Sequence, residues 1–80
     1  MNGVMRCAVV GGGAWGTAIA NLLARNGWPT MLWARELDVV ESVNTQHENR
    51  RFLPDLPLTP ALLASNDMSH VLSDASLVVY

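Results

Sequence analysis

The sequence predicts an α/β fold built on a parallel sheet, and three observations predict it. A short apolar run ends in a triple glycine, Gly11-Gly12-Gly13. An amphipathic stretch begins directly after it, and a second short apolar run, Thr30-Met31-Leu32-Trp33-Ala34, follows that stretch. Strand, tight turn, helix and strand open a βαβ unit, and parallel strands joined in this way cross over right-handed in nearly every known case.

Each element follows in order. Arg6-Cys7-Ala8-Val9-Val10 reads as a strand buried on both faces that stops at the glycines. From Ala14 onward Trp15, Ala18, Ile19, Leu22 and Leu23 recur at helical spacing, and Asn26-Gly27 supplies a helix stop. Pro29 lies just past the stop, and Thr30 to Ala34 is the second strand. Residues 36–46 set Leu37, Val40 and Val43 or Asn44 on one side, which predicts a second helix. Pro54, Pro57 and Pro60 exclude a continuous helix over residues 54–60, so that segment is a loop. Residues 61–65 predict a third strand. Asn66 or Asp67 caps a short helix through Val71 and Leu72, and Leu77-Val78-Val79-Tyr80 predicts a fourth strand.

The whole reads β-α-β-α-β-α-β, a doubly wound parallel sheet of the Rossmann type. A buried strand with no helix after it to cover it predicts a truncated domain of marginal stability, with residues 1–80 forming part of a larger unit.

Composition narrows the function classes. At 80 residues the chain can bury a modest core but cannot comfortably hold both a cofactor site and a substrate site. Half the residues are hydrophobic and 15% are charged, which fits a folded α/β core and not a disordered tail. A net charge of −2, with Arg6, Arg25, Arg35, Arg50 and Arg51 as the cations and no lysine, announces no nucleic-acid surface. The single cysteine, Cys7, lies in an apolar run and reads as a buried structural thiol in a reducing cytoplasm. No apolar stretch reaches the roughly 18 residues that a membrane span needs, and the first ten residues form no signal-peptide pattern. His47 and His70 have no second ligand at metal spacing and read as surface histidines.

Gly11-Gly12-Gly13-Ala14-Trp15-Gly16 matches GxGxxG. In that pattern Gly11 shapes the turn, Gly13 lets the backbone approach a pyrophosphate, and Gly16 allows close helix–strand packing. The free N–H groups at the helix start stabilise negative charge without a cationic side chain. The motif follows a strand, opens a helix and leads to a second strand, and that context points to a dinucleotide; no Gly-Lys-Ser/Thr follows, which excludes a P-loop.

Roughly 20 positions past the motif stands the residue that reads the ribose, and here it is Arg35. A guanidinium there pairs with the 2′-phosphate of NADP, so NADP is favoured over NAD, although Glu36 beside it can still reach a ribose hydroxyl. The plain alternative for Arg35 is a solvated arginine at a helix start. Trp33 is expected in the core. Trp15 has two readings, packing over the cofactor or plugging the core beneath it.

Three segments together carry a family resemblance: Gly11-Gly12-Gly13-Ala14-Trp15-Gly16-Thr17-Ala18, Leu32-Trp33-Ala34-Arg35 and His47-Glu48-Asn49-Arg50-Arg51-Phe52-Leu53-Pro54. They resemble the bacterial NAD(P)-dependent glycerol-3-phosphate dehydrogenases along nearly the whole chain, with the Trp-Gly-Thr-Ala continuation and the Asn-x-x-Phe-Leu-Pro segment more specific than the glycines. The resemblance implies hydride transfer between NAD(P)H and dihydroxyacetone phosphate, giving sn-glycerol 3-phosphate for phospholipid synthesis. It implies cofactor contacts at Gly11, Gly13, Ala14, Trp15, Gly16, Arg35 and Phe52, and it admits a homodimer.

Two positions depart from the family pattern. Ala14 stands where serine is frequent, and Asp55 stands where the family usually has glycine, which bears on the loop geometry there. The family's catalytic lysines and helical second domain lie later in such chains, so no catalytic residue is expected among these 80 and the segment alone is expected to be inert. A reductase of the same architecture with another substrate, or an NAD(P)-binding module without turnover, are the competing readings.

Overall fold

The computed structural model describes residues 5–80. The expectation about a leader peptide rests in part on residues 1–4, which lie outside the described residues. Strands and helices alternate: β1 (Cys7–Val10), α1 (Ala14–Arg25), β2 (Thr30–Trp33), α2 (Leu37–Glu41) running into a π-helical turn (Ser42–Gln46), β3 (Leu63–Ser65), α3 (Met68–Leu72) and β4 (Leu77–Val79).

The sheet order is β3-β2-β1-β4 and every pairing is parallel. The chain steps outward from β1 to β3, then returns to place β4 on the other side of β1. With right-handed crossovers, that reversal puts α1 and α2 on one face and α3 on the other. All carboxyl ends of the strands lie along one edge, and between β1 and β4 the winding reverses, the place where such sheets open a ligand crevice.

β1 is buried through Cys7, Ala8 and Val9, as a central strand covered from both sides must be. Val9, Leu32, Ala34, Val39, Val43, Leu58 and Leu62 share one core cluster with Ala20 and Ala24 of α1.

The face that α1 buries matches the apolar spacing of the sequence only in part: Ile19 and Leu23 pack against the core. Thr17, Ala20, Asn21 and Ala24 face the sheet, whereas Trp15 and Leu22 are 71% and 54% exposed. Small side chains at the centre of the buried stripe let the helix lie close to the strands, with the larger Ile19 and Leu23 packed beside them. Its end is as expected: Trp28 N–H donates to Leu23 O and Gly27 N–H to Ala24 O, both at 3.1 Å, with Gly27 at φ +91°. This is a Schellman stop with glycine at the left-handed position.

The second helix also departs from expectation. Val39 and Val43 are its buried residues, Leu37 is 67% exposed, and the α-helix gives way to a π turn after Glu41. His47, at φ +56°, ends that turn in the left-handed region.

β3 starts at Leu63 and not at Ala61, because Leu62 N–H donates to Thr59 O at 3.0 Å and keeps the preceding residues in a turn. On the free edge of β3, Asn44 donates to Ala64 O at 2.9 Å and accepts from Ala64 N–H at 2.8 Å. One side-chain amide thus stands in for a further strand there.

Of the two candidate caps for α3, Asp67 is the cap. Its Oδ1 accepts from the Ser69 hydroxyl at 2.8 Å, Ser69 N–H at 3.1 Å and His70 N–H at 3.3 Å.

Candidate functional site

The glycine turn sits at the carboxyl end of β1, and three of its glycines are required for distinct reasons. Gly11 has φ +126°, a conformation that L side chains rarely adopt. A Cβ at Gly16 would overlap the Gly11 carbonyl oxygen, so the close packing expected of Gly16 is made first against the turn itself, with Val9 behind it. A Cβ at Gly12 would lie 2.6 Å from the Ala34 Cβ, which makes Gly12 the point where the turn touches the end of β2. The sequence reading gave Gly12 no role. Around Gly13 there is open space.

α1 begins directly on this turn with no side-chain cap and no acidic residue in its first turn. Among the described residues, no side chain therefore matches its leading N–H groups and positive dipole end. α3 is the contrast, because Asp67 fills its N-terminus and the donated hydrogen bonds hold that carboxyl below the ordinary aspartate range, the Ser69 hydroxyl first. Trp15, on the first turn of α1, stands out in solvent, which removes its reading as a core plug.

In front of the turn lies an open groove of about 320 Å³ lined by Gly11, Gly12, Gly13, Trp33, Arg35, Glu36 and Phe52. Gly11, Gly13, Arg35 and Phe52, from three separate segments, thus meet in one place, with Ala14, Trp15 and Gly16 on the adjoining helical turn. The Arg35 side chain is 83% exposed and its Nη2 lies 3.7 Å from Glu36 Oε2. A pair so exposed holds weakly, which leaves the guanidinium available to an anion in the groove. Trp33 is half-buried and not fully in the core: its indole N–H donates to Asn66 O at 3.0 Å. Phe52 lies beneath the Arg51 guanidinium, 5.4 Å from ring centroid to Cζ, and Arg51 is held by Asp38 at 3.0 Å.

One residue that the sequence reading did not single out organises this groove. Asn49 is 0% exposed. Its Nδ2 donates to Gly12 O and to Thr17 Oγ1, both at 2.8 Å, and its Oδ1 accepts from Phe52 N–H at 3.1 Å. Its place three residues before Phe52 in the Asn-x-x-Phe-Leu-Pro segment was the available signal.

His47, expected at the surface, is half-buried, and its Nδ1 is enclosed with no hydrogen-bond partner among the described residues. Asp55, at the family's glycine position, has φ +66°. That is the left-handed region, which glycine adopts freely and aspartate tolerates better than most other residues. Among the described residues no group of three His, Cys, Asp or Glu side chains gathers as a metal site, and no helix is long and apolar enough to cross a membrane.

Comparison with known proteins gives concordant findings. Residues 6–80 match the family model described as the NAD-dependent glycerol-3-phosphate dehydrogenase N-terminus. A glycerol-3-phosphate dehydrogenase of Sphingopyxis alaskensis, named for NAD(P)+, is 54% identical over 72 residues, covering 89% of this chain and 22% of its own length. The counterpart in Stenotrophomonas maltophilia is 46% identical over 74 residues, covering 92% and 22%.

Among solved structures, glycerol-3-phosphate dehydrogenase from Coxiella burnetii superposes with a TM-score of 0.80 at 36% identity, over 94% of this chain and 24% of that one. The enzyme of Saccharomyces cerevisiae gives 0.86 at 29% identity, over 95% and 25%. The chain thus spans about a fifth of the length of the curated relatives it matches.

Proposed function

Since the chain belongs to the family of NAD-dependent glycerol-3-phosphate dehydrogenase N-termini, we propose that its groove binds the dinucleotide of an enzyme interconverting dihydroxyacetone phosphate and sn-glycerol 3-phosphate. The observation that carries this reading is the uncapped, acid-free start of α1 on the glycine turn, with Arg35 and Phe52 lining the same groove. A diphosphate fits the unmatched N–H donors of residues 13–16, and the space around Gly13 admits it where a side chain would intrude.

In this reading Gly11, Gly12 and Gly16 shape the cradle, and the backbone of Gly13, Ala14 and Trp15 holds the diphosphate. Ala14 contributes its N–H alone. Arg35 pairs with a ribose 2′-phosphate, Glu36 accepts from a ribose hydroxyl, and Phe52 offers an apolar wall to the adenosine end. The bound nicotinamide supplies or accepts the hydride. Arg35 and Glu36 are the charged groups lining the groove, and both are engaged at the ribose. Polarising and protonating the substrate carbonyl then belong to the part of the relatives' length that this chain does not span, and residues 1–80 act as the cofactor-binding part without turnover of their own. A cytoplasmic setting, with NADP preferred to NAD, completes the proposal; no nucleic acid enters it, and a homodimer is checked by sedimentation equilibrium.

Titration of the intrinsic tryptophan fluorescence with NADPH and NADH tests the binding. Saturable quenching by either supports the reading, and none from a folded chain would refute it. Arg35→Ala is expected to weaken NADPH binding by about 10-fold or more, the loss of a charge-assisted contact, while NADH changes by less than about 3-fold. Joining this segment to the remaining length of the Coxiella burnetii enzyme and following reduced-nicotinamide absorbance with dihydroxyacetone phosphate tests the activity.

A further inference from the structure

We propose that Asn49 is a positioning residue that aims the Gly13 N–H into the groove and fixes Phe52 across from it. This rests on the cofactor reading above and adds a residue to it.

The peptide between Gly12 and Gly13 lies on the wall of the groove. A trans peptide is planar, with its C=O and N–H pointing in opposite directions. Asn49 holds the Gly12 carbonyl from within the protein at 2.8 Å, so the Gly13 N–H of the same plane is directed outward, on the side where Gly13 is exposed. Glycine on both sides of this plane leaves it free to rotate unless something anchors it. Besides Asn49, the side-chain donor to the Gly12 carbonyl is the Thr17 hydroxyl at 3.4 Å, a long contact. The anchor is therefore the buried amide.

The same amide reaches the opposite wall. Its Oδ1 takes the Phe52 N–H, and Leu53 N–H donates back to Asn49 O at 2.8 Å, closing residues 49–53 into a tight turn that presents Phe52 to the groove. The turn is pinned behind by Ser42, whose hydroxyl accepts from Arg50 N–H at 3.2 Å and donates to Glu48 O at 2.5 Å. A buried amide is costly unless bonded, so an interior position serving packing alone would favour an apolar side chain. Asn49 instead spends both donor hydrogens on the α1 side of the groove and an acceptor on the Phe52 side.

The test is Asn49→Ala and the near-isosteric Asn49→Asp, which keeps an acceptor for Phe52 N–H and removes both donations. Dissociation constants for NADPH and NADH are measured by tryptophan fluorescence and referred to the folded fraction given by circular dichroism. Both variants are expected to weaken NADPH and NADH alike, by about 10-fold or more, because the two cofactors share the diphosphate. Val71→Ala, a cavity at a buried position of α3 away from the groove, is the control for lost stability and is expected to keep wild-type affinity.

Wild-type affinity in a folded Asn49 variant, or an equal loss in Val71→Ala, overturns the proposal. Should neither Asn49 variant fold, the unaltered chain decides. Labelled with nitrogen-15, its Gly13 amide resonance is expected to shift on NADPH addition and its Asn49 side-chain amide protons to be protected from exchange, and a Gly13 signal indifferent to bound NADPH overturns the proposal. Failure of the wild type to bind either cofactor defeats the cofactor reading itself, a result distinct from those above.

Discussion

Single residues set the groove's tolerances. Gly12→Ala would drive a methyl into Ala34, whose neighbour across the contact is backbone as well as Cβ, and is expected to cost about 1–3 kcal/mol in chemical unfolding. Asp55 tests the opposite case. At φ +66°, Asp55→Gly should be neutral to about 1 kcal/mol stabilising, while Asp55→Ala should cost about 1 kcal/mol, read from paired urea melts. At this scale the sequence was legible where a motif has a fixed backbone meaning, as at Gly11 and Gly16. It was silent on Gly12 and understated Asn49, because their partners, Ala34 for one and Gly12 and Thr17 for the other, come from distant parts of the chain. Arg35 and Phe52 were legible as candidates, yet their sharing of one groove is a product of β2 and the 49–53 turn ending side by side.

Elements were legible through their punctuation. Triple glycine, Asn26-Gly27 and the prolines of 54–60 each mark a backbone that cannot continue, so the order of strands and helices followed from them. Faces were less legible. On α1 Trp15 and Leu22 point outward while Thr17, Ala20, Asn21 and Ala24 are buried and Ile19 and Leu23 pack beside them, so the buried stripe is offset from the apolar one. The π turn after α2 was not legible at all, because no residue type announces an extra residue in a helical turn.

The cap of α3 makes an element-scale prediction. Hydrogen bonds from Ser69 and His70 favour the charged form of Asp67 in the folded chain and lower its pKa. Its contribution to stability is then complete above the ordinary aspartate range and is lost as pH falls through the lowered folded value. Asp67→Asn, which caps without titrating, should show a flatter dependence of melting temperature on acid pH than the wild type.

For the whole molecule the parallel order β3-β2-β1-β4 gathers every strand's carboxyl end along one rim, so the glycine turn, Arg35 and Asn66 are neighbours by topology alone. The core is built from small and medium side chains, which predicts modest stability on its own and a strong response to a ligand that binds only the folded chain. At NADPH concentrations 100 times the dissociation constant, linkage gives about 2.7 kcal/mol, and the melting temperature should rise with cofactor concentration in differential scanning calorimetry. An unchanged melting temperature at saturating cofactor would contradict binding to the native state. The wide turn at Ser42–Gln46 takes up one residue more than an α turn over nearly the same rotation. Each residue of an α-helix turns the chain by about 100°. An extra residue kept α-helical within α2 would swing the following segment by about that angle and carry Asn49 out from under Gly12, whereas removing one residue from the wide turn would heal the helix and leave the segment's direction nearly unchanged. The turn acts as slack, taking up one residue of chain length while the two walls of the groove stay in register.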